Sequence, residues 1–111
     1  MKKSKEETNL KNNILEASFF YPNDVSLWKM NVGAAVYEGK NGKKRFVRFG
    51  FKGLSDILGI HKIKGKLIAI ECKIWPNTLE PAQEDFRELV ISSSGIYVLA
   101  YELEDWKQVL I

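Results

Sequence analysis

Among its 111 residues the chain has a single cysteine and a single histidine. One thiol cannot close an intrachain disulfide, so nothing points to an oxidising compartment. One Cys and one His also fall short of the ligand cluster that a zinc site requires. No apolar run is long enough to cross a bilayer, and no signal-peptide stretch follows the basic start. The expectation is a cytoplasmic protein with no membrane partner. Linkers, internal repeats and low-complexity tracts are missing as well, which leaves one domain over residues 1–111. Acidic side chains are scarce through most of the chain: residues 1–75 hold 7 Asp/Glu against 15 Lys/Arg, whereas residues 76–111 hold 7 against 2. The overall charge of +3 therefore conceals a basic majority and an acidic end.

What is present reads as a globular domain. Hydrophobic residues make up 45% and charged residues 28%, ordinary values for a chain that buries its own core. Residues 1–10 are polar and are expected to fray at the start. An amphipathic helix is expected over residues 5–19, with Leu10, Ile14 and Ala17 turned inward, or else Leu15 and Phe19. Tyr21-Pro22-Asn23-Asp24 breaks it. Strands follow at residues 25–30, where Trp28 is expected to anchor the sheet, at 34–37 and at 45–49, with Gly39-Lys40-Asn41-Gly42 as a turn. Gly50 and Gly53 bracket a bend that glycine makes possible, with close approach to a substrate. A helix over residues 81–93 has Pro81 in its first turn and Gly95 past its end. Strand 96–101 closes the sheet, and a short helix with Trp106, Val109 and Leu110 ends the chain. The class is α/β, a mixed sheet flanked by helices.

The chemistry gathers around one hairpin. Leu67-Ile68-Ala69-Ile70-Glu71-Cys72-Lys73-Ile74 has the length and β-branched content of a strand. Alternation puts Ile68, Ile70, Cys72 and Ile74 on one face and Glu71 and Lys73 on the other with Leu67 and Ala69. Residues 55–60 read as the partner strand, with the reversal at Lys62-Ile63-Lys64-Gly65. Centred between Ile63 and Lys64, this hairpin opposes residues whose numbers sum to 127, so Asp56 faces Glu71. Opposed carboxylates have Cβ atoms roughly 5 Å apart and repel unless something compensates. A divalent cation such as Mg²⁺ would, since it takes one or two carboxylates together with carbonyl, water and phosphate oxygens. A cation so held polarises a phosphate and activates water. Lys73, on the face of Glu71, would stabilise the charge that grows in the transition state or orient the water.

The ordered set of motifs resembles the PD-(D/E)xK nuclease superfamily and, within it, the stand-alone phage and bacterial type of the VRR-NUC family. The matching stretches are Trp28-Lys29-Met30-Asn31-Val32-Gly33, the run from Val47 through Gly53-Leu54-Ser55-Asp56 to Gly59, Ile70-Glu71-Cys72-Lys73, Leu79-Glu80-Pro81-Ala82-Gln83-Glu84-Asp85-Phe86, and Ser94-Gly95-Ile96-Tyr97-Val98. Two positions depart from the family pattern. Gly95 is not followed by a second glycine, and Cys72 stands where an aliphatic residue is usual. The resemblance implies a restriction-endonuclease-like core and a metal-dependent DNA endonuclease using Mg²⁺ or Mn²⁺. Asp56, Glu71 and the main-chain carbonyl of Cys72 would bind the metal, with a glutamate of the first helix, best placed at Glu7, and Glu6, Glu16 or a plain solvent-facing glutamate as alternatives. Lys73 would act at the scissile phosphate and Gln83 would position water. Such stand-alone members resemble Holliday-junction resolvases that work as homodimers on branched DNA. A less structure-selective nickase or endonuclease, with branched or duplex DNA as the partner, and a catalytically silent DNA-binding module are the alternatives.

Other residues bear on this expectation. Gln83 shares a helix face with Phe86 and Val90, which directs it toward the sheet; the other reading is an N-terminal helix residue that satisfies backbone groups. Lys43, Lys44, Arg45, Arg48 and Lys52 lead into the site, and Lys62 and Lys64 lie in the reversal. They would neutralise DNA phosphates or serve as a solvated, lysine-rich hairpin edge. His61 reads as a solvated turn residue and Cys72 as core rather than nucleophile. Trp28, Trp75 and Trp106 read as core and edge aromatics. Phe19, Phe20, Tyr21 and Trp106 are available to an isologous interface or to the core.

Overall fold

The computed structural model describes residues 3–30, 33–38, 42, 44–49 and 52–111. The elements in chain order are α1 (Lys5–Ser18), β1 (Val25–Lys29), β2 (Gly33–Glu38), β3 (Lys44–Phe49), β4 (Ile57–His61), β5 (Lys66–Cys72), α2 (Pro81–Ser92), β6 (Ile96–Ala100) and a 3-10 helix, Leu103–Leu110. Four strands form a mixed sheet in the order β1-β4-β5-β6, while β2 and β3 pair as a separate antiparallel hairpin. The turn expected at residues 39–42 and the bend at Gly50 lie outside the described residues, apart from Gly42.

In the four-stranded sheet β1, β4 and β5 are antiparallel neighbours, and β5 pairs in parallel with β6. A parallel pair requires a crossover, and α2 supplies it. The alternation of β5 divides the core in two. Ile68, Ile70 and Cys72 join Ile14, Val25, Ile57, Val98, Trp106 and Val109 on the face covered by α1 and the 3-10 helix. Ala69 joins Leu54, Phe86 and Val90 beneath α2. Register follows the expected sum, from Ile57↔Ile70 to His61↔Lys66.

Several expectations need correction. The first helix turns Ile14 and Ser18 inward, with Leu10, Leu15 and Ala17 packed around them. Phe19, offered as an inward residue, is the helix C-cap and is 75% exposed. Trp28 does not anchor the sheet: it lies on the edge strand β1 and is 43% exposed. His61 is not a solvated turn residue. Strand β4 runs one residue further than expected, so His61 shares the inward parity of Ile57 and Gly59 and is 3% exposed. Its Nδ1 accepts the Lys64 N–H at 3.1 Å, which closes the hairpin turn.

The end of α2 follows a different route from the expected glycine stop. The Ser94 N–H donates to the Ile91 carbonyl at 3.0 Å and the Gly95 N–H to the Val90 carbonyl at 2.8 Å. This is the paired pattern of a Schellman motif. Its left-handed position is taken by Ser94, with φ of 67°. Gly95 is needed for space instead, since a Cβ there would lie 2.7 Å from Val90 Cγ1.

Candidate active site

Asp56 immediately precedes β4, and Glu71 is the second-last residue of β5. With Ile57 opposite Ile70, they occupy the next step of the hairpin, at its open end. Three bonds fix Asp56 there. The Met30 N–H donates to its carbonyl at 2.8 Å, extending the β1–β4 ladder by one residue. The Cys72 N–H donates to its Oδ2 at 2.8 Å. The hydroxyl of buried Ser55 donates to the Ile57 carbonyl at 2.9 Å and holds the turn into the strand. The aspartate is thus tied through its main chain to β1 and through its carboxylate to β5.

An ammonium stands between the two acids. Lys3 Nζ donates to Glu71 Oε2 and, at 2.7 Å, to the Cys72 carbonyl. It also lies 3.1 Å from Asp56 Oδ2 and 3.5 Å from Glu7 Oε2. A capping box sets this position. The Glu7 N–H donates to Ser4 Oγ and the Ser4 N–H to Glu7 Oε1, both at 3.1 Å, so α1 starts at Lys5 and Lys3 stays outside it. The Glu71 carboxyl is raised above the usual carboxylate range, first by burial and then by the neighbouring Asp56, with Lys3 opposing both. Burial alone would lower the Lys3 ammonium, yet the bonds and attraction of Glu71 and then Asp56 hold it above its ordinary value. Glu7 moves down: burial works against this, but the bonds from Ser4 and the charge of Lys3 prevail.

Gln83 both satisfies a backbone group and faces the sheet. Its Oε1 accepts the Glu80 N–H at 2.8 Å, capping α2. That bond turns the amide so that Nε2 faces Glu71 Oε2 at 3.3 Å. The approach of α2 is set by Gly53, whose φ is +88° and whose Cβ, if present, would lie 2.1 Å from the Ala82 carbonyl oxygen. The close approach at Gly53 is therefore to the first turn of α2. Lys73 extends the β5–β6 pairing, its N–H donating to the Ala100 carbonyl at 3.0 Å. It is 9% exposed and forms no ion pair among the described residues.

The basic residues divide by position. Lys52 is exposed beside Gly53, on the loop that enters the site. Lys44, Arg45 and Arg48 lie on β3, opposite Glu38, Tyr37 and Ala34. Lys43 falls outside the described residues. Lys62 and Lys64 are at the far end of the β4–β5 hairpin, roughly 15–20 Å from its open end at the usual rise per residue. Their ammonium groups donate to main-chain carbonyls, Lys62 to Pro22 and Lys64 to Ile111.

The donors suit a hard cation. Among the described residues no three His, Cys, Asp or Glu side chains cluster as a self-contained metal cage. Two carboxylates and one carbonyl are donors of the kind that Mg²⁺ or Mn²⁺ takes, the remaining positions going to water and phosphate oxygens. Two observations fit. A positive group already bridges these oxygens, and Glu71 Oε1 is buried without a partner among the described residues.

Sequence reasoning missed Lys3 and Ser55. The Ser4-to-Glu7 spacing, a capping-box signature just ahead of the first apolar residues, was the available signal for where α1 begins. It agrees with a helix that starts at residue 5 and leaves Lys3 before it, but says nothing of Glu71.

No family model matches the sequence, and no curated protein is similar enough to match. Seven chains of solved structures do match. One, described as "VRR_NUC domain", is 19% identical to this chain and superposes with a TM-score of 0.60 over 96% of this chain and 91% of its own. Nearly the whole chain, with its mixed sheet and flanking helices, has the fold of a VRR_NUC domain, the fold that the motif resemblance implies.

Proposed function

We propose that the chain is a divalent-metal-dependent DNA endonuclease. One observation carries this reading: Asp56 Oδ2, Glu71 Oε2 and the Cys72 carbonyl converge on a single cationic group. These three oxygens would hold Mg²⁺ or Mn²⁺, with Glu7 at the margin. When bound, such an ion would polarise the phosphate and activate water. The protein's own groups do the rest. Lys73, lacking a fixed anionic partner among the described residues, answers the negative charge that develops on the phosphate in the transition state. Gln83, its oxygen engaged by Glu80, offers a second Nε2–H to orient the attacking water. Lys52 and the β3 residues Lys44, Arg45 and Arg48 provide phosphate contacts that carry no sequence preference.

The finer reading is a homodimer selective for branched DNA, in the manner of a Holliday-junction resolvase. A four-way junction is roughly two-fold symmetric and is resolved by two cuts, which two sites related by a dyad match without a further recognition domain. Phe19 and Phe20, both strongly exposed, support an isologous contact. A second reading, a silent DNA-binding module, draws on the same ammonium, which in that case would be a permanent occupant of the site.

Cleavage of labelled duplex, single strand, flap and four-way junction, each with EDTA, Mg²⁺ and Mn²⁺, tests the proposal, with light scattering at micromolar protein for the dimer. Metal-dependent nicking of opposed junction strands by a dimer is expected. A monomer that cuts junction and duplex equally would remove the resolvase reading and leave the nuclease. No cleavage under any condition would favour the silent module.

A further inference from the structure

We propose that Lys3 is the resident counter-cation of this site, so that a divalent ion enters only by displacing the Lys3 ammonium. The inference rests on the metal-dependent reading given above.

The argument begins with the oxygens. Lys3 Nζ contacts Glu71 Oε2, Asp56 Oδ2 and the Cys72 carbonyl, the same three atoms that a hard cation would take. An ion about 2.0–2.1 Å from those oxygens would lie within roughly 3 Å of the ammonium nitrogen. Two positive groups that close repel strongly in a partly dehydrated site, so the two occupancies exclude each other. The tether permits an exchange. Lys3 lies outside the α1 hydrogen-bond ladder, and among the described residues every polar contact of its side chain is with this site or with Glu7. Ser4, the next residue, keeps its own bonds to Glu7 whether or not Lys3 stays. Withdrawal of the ammonium therefore leaves α1 intact.

Lys3 also has a task when no metal is present. Glu71 is 1% exposed and faces Asp56, so two acids at the open end of the hairpin would repel without a cation. One site thus alternates between a built-in cation and a diffusible one, and by linkage each lowers the occupancy of the other.

The test compares the wild type with Lys3→Met, taking Lys5→Met, at an exposed neighbour, as the control. Mn²⁺ binding is read from the paramagnetic resonance signal of the free ion, and stability from thermal unfolding in EDTA and in Mn²⁺. Lys3→Met is expected to bind Mn²⁺ about tenfold more tightly, within the usual range of such couplings. It should also melt below the wild type in EDTA and gain more from Mn²⁺. In wild type, acetylation by an N-hydroxysuccinimide ester should modify Lys3 more slowly than Lys5 in EDTA, and Mn²⁺ should raise Lys3 labelling several-fold. This last measurement needs no variant. Equal Mn²⁺ affinity in both proteins, or Lys3 labelling unchanged by bound Mn²⁺, would overturn the proposal and leave the metal site standing. No Mn²⁺ binding by either protein would overturn the metal reading and this inference with it.

Discussion

Gly53 rests against the main chain of Ala82 so closely that its missing Cβ would lie 2.1 Å from the carbonyl oxygen and 2.4 Å from the carbonyl carbon. The loop leading to Asp56 and the first turn of the helix carrying Gln83 meet here with no room for a side chain.

Gly53→Ala should therefore be far more damaging than Gly65→Ala. Both positions have positive φ, but at Gly65 an added Cβ would meet nothing within 4 Å. Gly65→Ala should cost only the left-handed backbone penalty, about 1–2 kcal/mol. Gly53→Ala adds displacement of the loop or of α2, and should cost about 3 kcal/mol or more while separating Gln83 from Glu71. Urea unfolding of the two variants side by side provides the measurement.

Ser94→Gly should stabilise the protein. Ser94 occupies the left-handed position of the Schellman motif at the end of α2, where glycine carries no Cβ penalty. A gain of about 0.5–1 kcal/mol is expected from the lifted strain, less the greater entropy of an unfolded glycine. A midpoint at or below that of the wild type would show that Ser94 is not strained there.

Asp56→Asn should keep the fold, because an amide oxygen can still accept the Cys72 N–H. Metal-dependent cleavage should fall by roughly 10²-fold or more if metal activation is lost. Lys73→Ala should lower turnover with little change in DNA affinity. Neutralising Lys43, Lys44 and Arg45 together should weaken binding and flatten its salt dependence. Affinity against salt and single-turnover rates, measured on the same variants, separate these effects.

The Cys72 thiol should be inert in the native protein. Burial first, then the nearby Asp56 and Glu71, pushes it up to about 12, so almost none is thiolate at pH 8, and the thiolate is the reactive form. Labelling by a disulfide reagent should be as slow as global opening and become immediate in denaturing urea. Fast labelling of folded protein would mean that β5 opens locally.

Much of this arrangement was legible from residues that report their own surroundings. The sum of 127 came from strand parity and a polar reversal, and both depend only on neighbours along the chain. His61 was misread because its lysine neighbours suggested solvent, whereas parity with Ile57 decides where it points. Trp28 is the edge aromatic that the sequence allows and not the anchor it suggests, because β1 lies at the edge of the sheet and has a neighbour on one side alone. Lys3 was beyond reach. Apart from Glu7, its partners are 53, 68 and 69 residues away, and its position depends on how α1 docks on the finished sheet. The inward turn of Gln83 was legible from Phe86 and Val90, but its bond to Glu71 depends on the absence of a side chain at Gly53.

The hairpin geometry alters the meaning of the interval between Asp56 and Glu71. Both acids stand at its open end, and residues 62–65 turn at the other. Their fifteen-residue separation therefore records how long the two arms are, and places no requirement on the chemistry. Lengthening each arm by two residues would carry the turn outward and preserve both facing and alternation. A one-residue insertion within β5 would send Glu71 into the core among Ile14 and Trp106. In distant sequences the interval should therefore be elastic in even steps, and a search that fixes it at fifteen would pass over chains with the same site.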